Sequence, residues 1–200
     1  MSRPRAFLAS LGLLMLTLVV ANTPLLPVSA PSIASAAGGV GILDLQPQTT
    51  AEAVYAALTA YGPSGRTTYL WELATVDLVL PLAMALTQVL AMRLMLRRMA
   101  PPGSRWHLLA WLPFIPSILD YVENLGIGTV LLAYPNRVGW VAEALAPLTA
   151  TKSACYVGSL VLVIATLLAM GARRLGLRLK GRSAGTAAEA QAGQLRRPVT

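Results

Sequence analysis

The chain has 200 residues, of which 56% are hydrophobic and 12% charged, and its formal net charge at pH 7 is +8. A soluble domain carries about 25% charged residues, so the composition excludes an ordinary soluble protein and predicts an integral membrane protein. The lone cysteine, Cys155, excludes an intramolecular disulfide and a two-cysteine redox site.

Four apolar stretches are long enough to cross a bilayer as helices, which takes about 20 residues. They cover residues 6–30, 69–96, 107–134 and 141–170. We therefore predict an all-α, polytopic membrane protein built as a four-transmembrane-helix bundle. The first stretch has an alternative interpretation as a cleaved signal peptide, because two arginines precede it and Ala34-Ser35-Ala36 resembles a cleavage site.

The basic residues set the predicted orientation, because cytoplasmic segments near membrane spans retain Lys and Arg. One side of the predicted bundle holds Arg3, Arg5, Arg93, Arg97, Arg98, Arg105, Arg173, Arg174, Arg178, Lys180, Arg182, Arg196 and Arg197. The other side holds only Arg66 and Arg137. We therefore expect both terminal segments, residues 1–5 and 171–200, on the cytoplasmic side of a plasma or inner membrane.

The outer loop after the first span, residues 31–68, contains a predicted short amphipathic helix at about 50–61. A capping box, Thr49-Thr50-Ala51-Glu52, opens this helix, and Gly62-Pro63 ends it. Its apolar residues recur at spacings of three and four, namely Val54, Tyr55, Leu58 and Tyr61. Such a face suits a helix that lies on the membrane surface or across the mouth of the bundle.

The remaining connections are a basic cytoplasmic loop at 97–106, a short outer loop at 135–140 and the tail at 171–200. Basic and apolar residues alternate at the start of the tail, which favours binding to anionic lipid headgroups, and the rest of the tail is expected to be disordered. The bilayer and its headgroups are the expected partners, with homo- or hetero-oligomers left open. No motif indicates nucleic-acid binding.

Function is expected among the polar residues within the spans, since each ionisable one costs at least about 2.5–3.5 kcal/mol at the bilayer centre. These candidates are Glu72, Asp77, Asp120, Glu123, Asn124, Glu143 and Lys152. Helical spacing gives the third and fourth spans one polar face each. The faces hold Ser117, Asp120 and Asn124 in the third span, and Thr149, Lys152, Tyr156 and Ser159 in the fourth.

Polar faces on separate helices should meet, because lipid would leave them unpaired. We therefore predict an outward-facing pocket that binds a ligand or a proton. Its predicted residues are Asp77, Asp120, Glu123, Asn124, Lys152 and Tyr156. Lys152 has three interpretations: a structural ion pair with Asp77 or Asp120, snorkelling to the outer surface, or a working ion pair that lets a carboxyl group bind and release a proton.

Prolines interrupt two of the predicted spans. Pro113 and Pro116 precede the acidic residues of the third span and predict a kink there, as Pro81 does in the second. Such breaks either free carbonyl groups to line a binding site or are ordinary membrane-helix prolines that neighbouring helices accommodate.

The sequence supplies no recognisable catalytic or cofactor site. His107, the sole histidine, lies beside the inner basic loop, which excludes a Ser-His pair or a histidine-based zinc site at the acidic residues. Cys155 lies one turn from Lys152 but is interpreted as a packing residue, and Ser153 points away from Lys152. We therefore predict no cofactor and no metal.

Several strings resemble a group of uncharacterised bacterial four-span integral membrane proteins. They are Asp44, Tyr61-Gly62-Pro63-Ser64-Gly65-Arg66, Tyr69-Leu70, Asp77-Leu78-Val79-Leu80-Pro81, Asp120-Tyr121-Val122-Glu123-Asn124 and Lys152. The resemblance covers most of residues 43–170. It implies a common scaffold with acidic spans and carries no activity across.

Three functions follow as hypotheses. The first is binding or passage of a small solute, a proton or a lipid headgroup at the acidic pocket. The second is a membrane-embedded enzyme that modifies a lipid with a carboxyl group as acid or base. The third is a scaffold subunit of a membrane complex, in which the polar residues serve packing alone.

A reporter that is active only on the outer side of the membrane tests the predicted orientation. Fused after Lys180, it should be inactive, because the arginine-rich tail stays in the cytoplasm. The same reporter inserted after Asn136, in the predicted outer loop, is the positive control. Activity of the fusion after Lys180 would contradict the orientation.

Overall fold

The computed structural model describes residues 3–24, 26 and 28–195. Their secondary structure is helical without strands, which confirms the all-α class. The elements are α1 (Arg3–Asn22), α2 (Ala30–Ala36), α3 (Ala51–Ala60), α4 (Gly62–Met99), a 3₁₀ segment (Arg105–Trp111), α5 (Phe114–Ala133) and α6 (Gly139–Leu195). Residues 1–2 of the predicted N-terminal segment and 196–200 of the predicted tail, with Arg196 and Arg197, lie outside the described residues.

Three helices in the described part of the chain are long and apolar enough to cross a membrane. They are α1, α4 and most of α6, with the stretches Pro4–Asn22, Gly62–Met99 and Gly139–Leu177. α5 is not among them, because its 20 residues include the polar side chains of Asp120, Glu123 and Asn124. The three helices indicate a membrane protein. The predicted bundle of four spans is not confirmed, because only three described helices have the length and apolar composition of a span.

The central helix of the bundle is α4, which contacts α1, α5 and α6. α1 packs along α4 with the hydroxyl-bearing side chains of Ser10 and Thr17 buried. α5 lies between α4 and α6 and contacts both. The polar faces predicted on these helices therefore have helical neighbours to meet.

Residues 30–61, which we call the cap, cover one end of the bundle. Val54 and Leu58 of α3 are buried in one core with Ile127 of α5 and Leu145 of α6. Tyr55 joins this core, and its hydroxyl oxygen accepts the backbone N–H of Val138 at 2.5 Å. The apolar face of α3 thus packs across the mouth of the bundle and does not rest on lipid.

The predicted third span, 107–134, is not one helix. The 3₁₀ segment ends at Trp111 and α5 begins at Phe114. Pro113 occupies the N-cap position of α5, and Pro116 lies in its first turn, where a missing N–H breaks no intrahelical bond. These prolines therefore start a helix, whereas the sequence predicted a kink within one.

Pro81 leaves α4 unbroken, because α5 supplies hydrogen bonds to the backbone around it. Asn124 Nδ2 donates to the carbonyl of Asp77 at 3.3 Å, which is the carbonyl that Pro81 cannot pair. Ser117 Oγ donates to the carbonyl of Pro81 and Tyr121 Oη to that of Leu78, each at 2.7 Å. The structure therefore agrees with an accommodated proline, and these bonds align α5 with α4.

The tail, for which the sequence predicts disorder, is described as far as residue 195. α6 continues through residues 171–195 as one helix with the preceding span. This stretch holds six alanines, four leucines and four arginines, which are strong helix formers, together with five glycines, which are weak ones. Low apolar content, from which disorder was predicted, argues against a packed core but does not prevent a helix that grows from a formed one.

Candidate functional site

Lys152 of α6 forms a buried ion pair with two carboxyl groups of α5. Its Nζ lies 3.2 Å from Asp120 Oδ1 and also contacts Glu123 Oε2. Glu123 is 0% exposed and Lys152 is 7% exposed. Thr149 Oγ1 donates to the other oxygen of Glu123, and Tyr156 Oη donates to Asp120 Oδ2 at 2.8 Å. Both carboxyl groups are thus held by α6.

This ion pair forms because two polar helical faces meet at a close crossing. Asp120 and Glu123 are three residues apart in α5, and Lys152 is three residues from Thr149 in α6, so each pair shares a face. Near them, a Cβ placed on Gly126 would lie 2.9 Å from Leu145 Cδ2, so the side chain of Leu145 packs against α5 at this glycine. Of the interpretations of Lys152, the geometry shows the pair with Asp120 and excludes snorkelling, since the side chain is buried.

The carboxyl groups of α4 are left without such a partner. Glu72 is 2% exposed and Asp77 is 8% exposed. Glu72 Oε2 and Asp77 Oδ2 accept no hydrogen bond from any described residue, and the same holds for Asn124 Oδ1 in α5. Among the described residues, Lys152 forms its ion pairs with Asp120 and Glu123 and none with Asp77. The predicted site residues therefore divide into a paired group on α5 and α6 and an unpaired group at α4.

Asp44, in the cap, adds an acidic residue that was not among the predicted site residues. Its Oδ1 accepts a hydrogen bond from Tyr69 Oη at 3.0 Å, and Tyr69 Oη accepts the backbone N–H of Leu43 at 3.0 Å. Burial raises the pKa of Asp44 above its ordinary value, while the positive charge of Lys152 lowers it. The available signal was its position directly after the apolar run Gly41-Ile42-Leu43 in a loop.

A groove of about 450 Å³ between α4 and α5 lies beside two residues of the unpaired group, Asp77 and Asn124, whose unpaired oxygens are themselves buried. Asp77 and Asn124 line it together with Tyr121, Gly128 and several leucines. Two of those leucines, Leu125 and Leu132, are each 73% exposed, so the groove opens on the side of the helix pair. The cap covers the end of the bundle, so this lateral opening differs from the outward-facing pocket predicted from the sequence.

Three other polar residues considered in the sequence analysis form no side-chain hydrogen bond or ion pair with the paired or the unpaired group in the described part of the chain, namely Glu143, His107 and Cys155. Glu143 is exposed at the cap end of α6. The ring of His107 contacts the carbonyl of Pro101 at 3.2 Å, at the opposite end of the bundle. Cys155 is a free, half-buried thiol. Within the described residues, no three His, Cys, Asp or Glu side chains converge on one metal position.

No protein-family model, curated protein or solved structure matches the chain. Oxygen acceptors that are buried and unpaired beside an apolar groove can take a hydrogen-bond donor or a cation.

Replacing Asp44 with asparagine tests the burial of this carboxyl group. Because its pKa is raised in the folded protein, the free energy of unfolding should fall as pH rises from the ordinary aspartate pKa through the raised value. The asparagine side chain keeps an oxygen that accepts from Tyr69 but does not ionise, so the variant should lose this fall and gain stability relative to wild type as pH rises. Denaturant unfolding followed by tryptophan fluorescence measures this difference.

The matched control is Glu52→Gln, which removes an exposed carboxyl group of α3. Its stability difference from wild type should change little over the same pH range. A constant difference between wild type and Asp44→Asn would contradict the burial of an ionisable group at this position.

Proposed function

We propose that the chain is a plasma-membrane protein with four spans and cytoplasmic termini that binds or passes a small solute, a proton or a lipid headgroup. α5 is the fourth span in this proposal. Its contacts with α4 and α6 support that role, because its polar side chains face those helices. Ile118 and Leu125 are exposed on its other side, as a lipid-facing surface requires.

One observation carries the proposal: the site has more buried acceptors than donors. The ammonium group of Lys152 is taken up by Asp120 and Glu123. Glu72, Asp77 and Asn124 each keep a buried oxygen with no partner in the described part of the chain. Within a bilayer, such carboxyl groups require a compensating proton, cation or hydrogen-bond donor.

The groove lies beside two of these residues, Asp77 and Asn124, and its shape limits which ligands suit them. Its walls are mostly apolar and its opening is lateral, so a molecule in the membrane can enter with its headgroup toward Asp77 and Asn124. A primary ammonium group suits this place, since it carries a positive charge and several N–H donors. A quaternary ammonium group has the charge without the donors and provides a matched comparison.

The test is the binding of phosphatidylethanolamine against phosphatidylcholine, measured by native mass spectrometry on protein released from mixed-lipid nanodiscs. Ethanolamine and choline, in solution, form the small-solute arm. Wild type should favour the donor-bearing member of a pair by about threefold to tenfold, the range of one or two hydrogen bonds. Preference in the lipid arm alone assigns the ligand to the membrane, and preference in the solute arm assigns it to water.

Asp77→Asn should abolish the preference, whereas Glu143→Gln, which removes an exposed carboxyl group, should retain it. Gly128→Phe fills the groove without a charge change, because space is open beside Gly128, where the nearest atom to an added Cβ is 4.0 Å away. Gly128→Phe should also lose the preference for the donor-bearing ligand. It replaces Asp77→Asn as the test if that variant does not fold. Wild-type protein with no preference in either arm would overturn the proposal.

A further inference from the structure

A second cavity, of about 460 Å³, lies at the end of the bundle opposite the cap. It is formed by the last turns of α4, the loop that follows and the 3₁₀ segment. Arg93, Arg97, His107 and Trp111 line it, and no acidic residue of the described chain does. This cavity shares no lining residue with the groove beside Asp77 and Asn124, so a ligand bound here is independent of the proposed function.

The two arginines of this cavity are poised to bind an anion. Arg93 and Arg97 are one turn apart on the same face of α4, where like charges repel. No described carboxyl group forms an ion pair with either. The guanidinium group of Arg93 lies over the ring of Trp111, 5.2 Å from its centre, a cation–π contact that leaves its N–H donors free. Paired guanidinium groups with free donors match the geometry of a phosphate group.

The surroundings of the arginines indicate that the phosphate belongs to a lipid. A smaller groove of about 140 Å³ includes the same two arginines and is otherwise lined by Leu94, which lies between them in the sequence, and Leu90, which lies toward the apolar middle of α4. Leu108 is 67% exposed at the rim of the larger cavity. Tryptophans are enriched at the level of membrane headgroups, and Trp111 lines this cavity.

We propose that this cavity binds the phosphate group of an anionic phospholipid, with an acyl chain along Leu90 and Leu94. Arg93 and Arg97 hold the phosphate, and Trp111 holds Arg93 in place. Free inorganic phosphate shares the same chemistry but gains nothing from the leucine-lined groove. The sequence predicted general attraction of the basic segments to anionic headgroups, and the cavity adds a defined site with two named arginines.

The experiment compares binding of phosphatidylglycerol and phosphatidylcholine to the full-length protein by native mass spectrometry. Wild type should retain phosphatidylglycerol preferentially. The double variant Arg93→Gln/Arg97→Gln should lower this preference about tenfold. The matched control Arg98→Gln/Arg105→Gln removes the same charge from exposed neighbours that do not line the cavity, and it should keep the preference.

Equal losses in the two double variants would overturn the proposal, because net charge alone would then explain binding. Retention of the full preference by Arg93→Gln/Arg97→Gln would also overturn it. Inorganic phosphate at millimolar concentration should leave the bound lipid in place, and complete displacement would assign the cavity to free phosphate instead.

A measurement on proteins with all arginines intact covers the case in which the double variant does not fold. Phosphatidylglycerol with brominated acyl chains quenches nearby tryptophan, and the contribution of Trp111 is the difference between wild type and Trp111→Phe. Brominated phosphatidylglycerol should quench this contribution more strongly than brominated phosphatidylcholine. Equal quenching by the two lipids would contradict a specific site.

Discussion

The burial of one ammonium group constrains much of this structure. Lys152 lies within the helix bundle, where an unpaired charge costs several kcal/mol. It therefore requires the carboxyl groups of Asp120 and Glu123, and this requirement fixes how α5 and α6 face each other. The neighbouring side of α5 then supplies donors to the carbonyl groups around Pro81. Polar contacts thus set the register of three helices in surroundings that provide little hydrophobic driving force between them.

The same constraint produces the candidate site. Lys152 forms its ion pairs with the carboxyl groups of α5. Glu72 and Asp77 of α4 are also buried, but neither has a cationic partner among the described residues. The cap packs over the end of the bundle and places a further carboxyl group, that of Asp44, against Tyr69 of α4, so it adds an acidic group and no basic one. In the proposed function, a ligand in the lateral groove supplies the missing hydrogen-bond donors. The excess of buried carboxyl groups over the one ammonium group of Lys152 therefore underlies both the packing of α5 on α6 and the proposed ligand binding.

Periodicity in the sequence was sufficient to find the paired half of the site. The spacing of Asp120, Thr149, Lys152 and Tyr156 placed these side chains on facing helical surfaces, and the structure brings them together. The start of α3 was found within one residue: Thr50 caps the helix by accepting the N–H of Ala53, whereas the predicted capping box places the cap at Thr49 with Glu52 as its partner. Such features depend on neighbours within one or two turns, which a single sequence displays directly.

What the sequence could not provide depends on contacts between distant segments. The choice of Lys152 between Asp77 and Asp120 is decided by how α4 is rotated against α5, and periodicity within each helix does not contain that rotation. Asp44 reaches the site only because the cap folds over the bundle. The break before Phe114 was misjudged since prolines can kink a helix or begin one, and neighbouring structure selects between them.

Double-mutant cycles on the free energy of unfolding in mixed micelles test the central claim most directly. Lys152→Met is combined with Glu123→Gln in one cycle and with Asp77→Asn in the other. If Lys152 pairs with the carboxyl groups of α5 and not with those of α4, the coupling free energy between Lys152 and Glu123 should be about 1–3 kcal/mol. It should exceed the coupling free energy between Lys152 and Asp77 by about 1 kcal/mol or more. Equal coupling, or stronger coupling with Asp77, would contradict this account, because the acidic residue of α4 would then have a cation of its own.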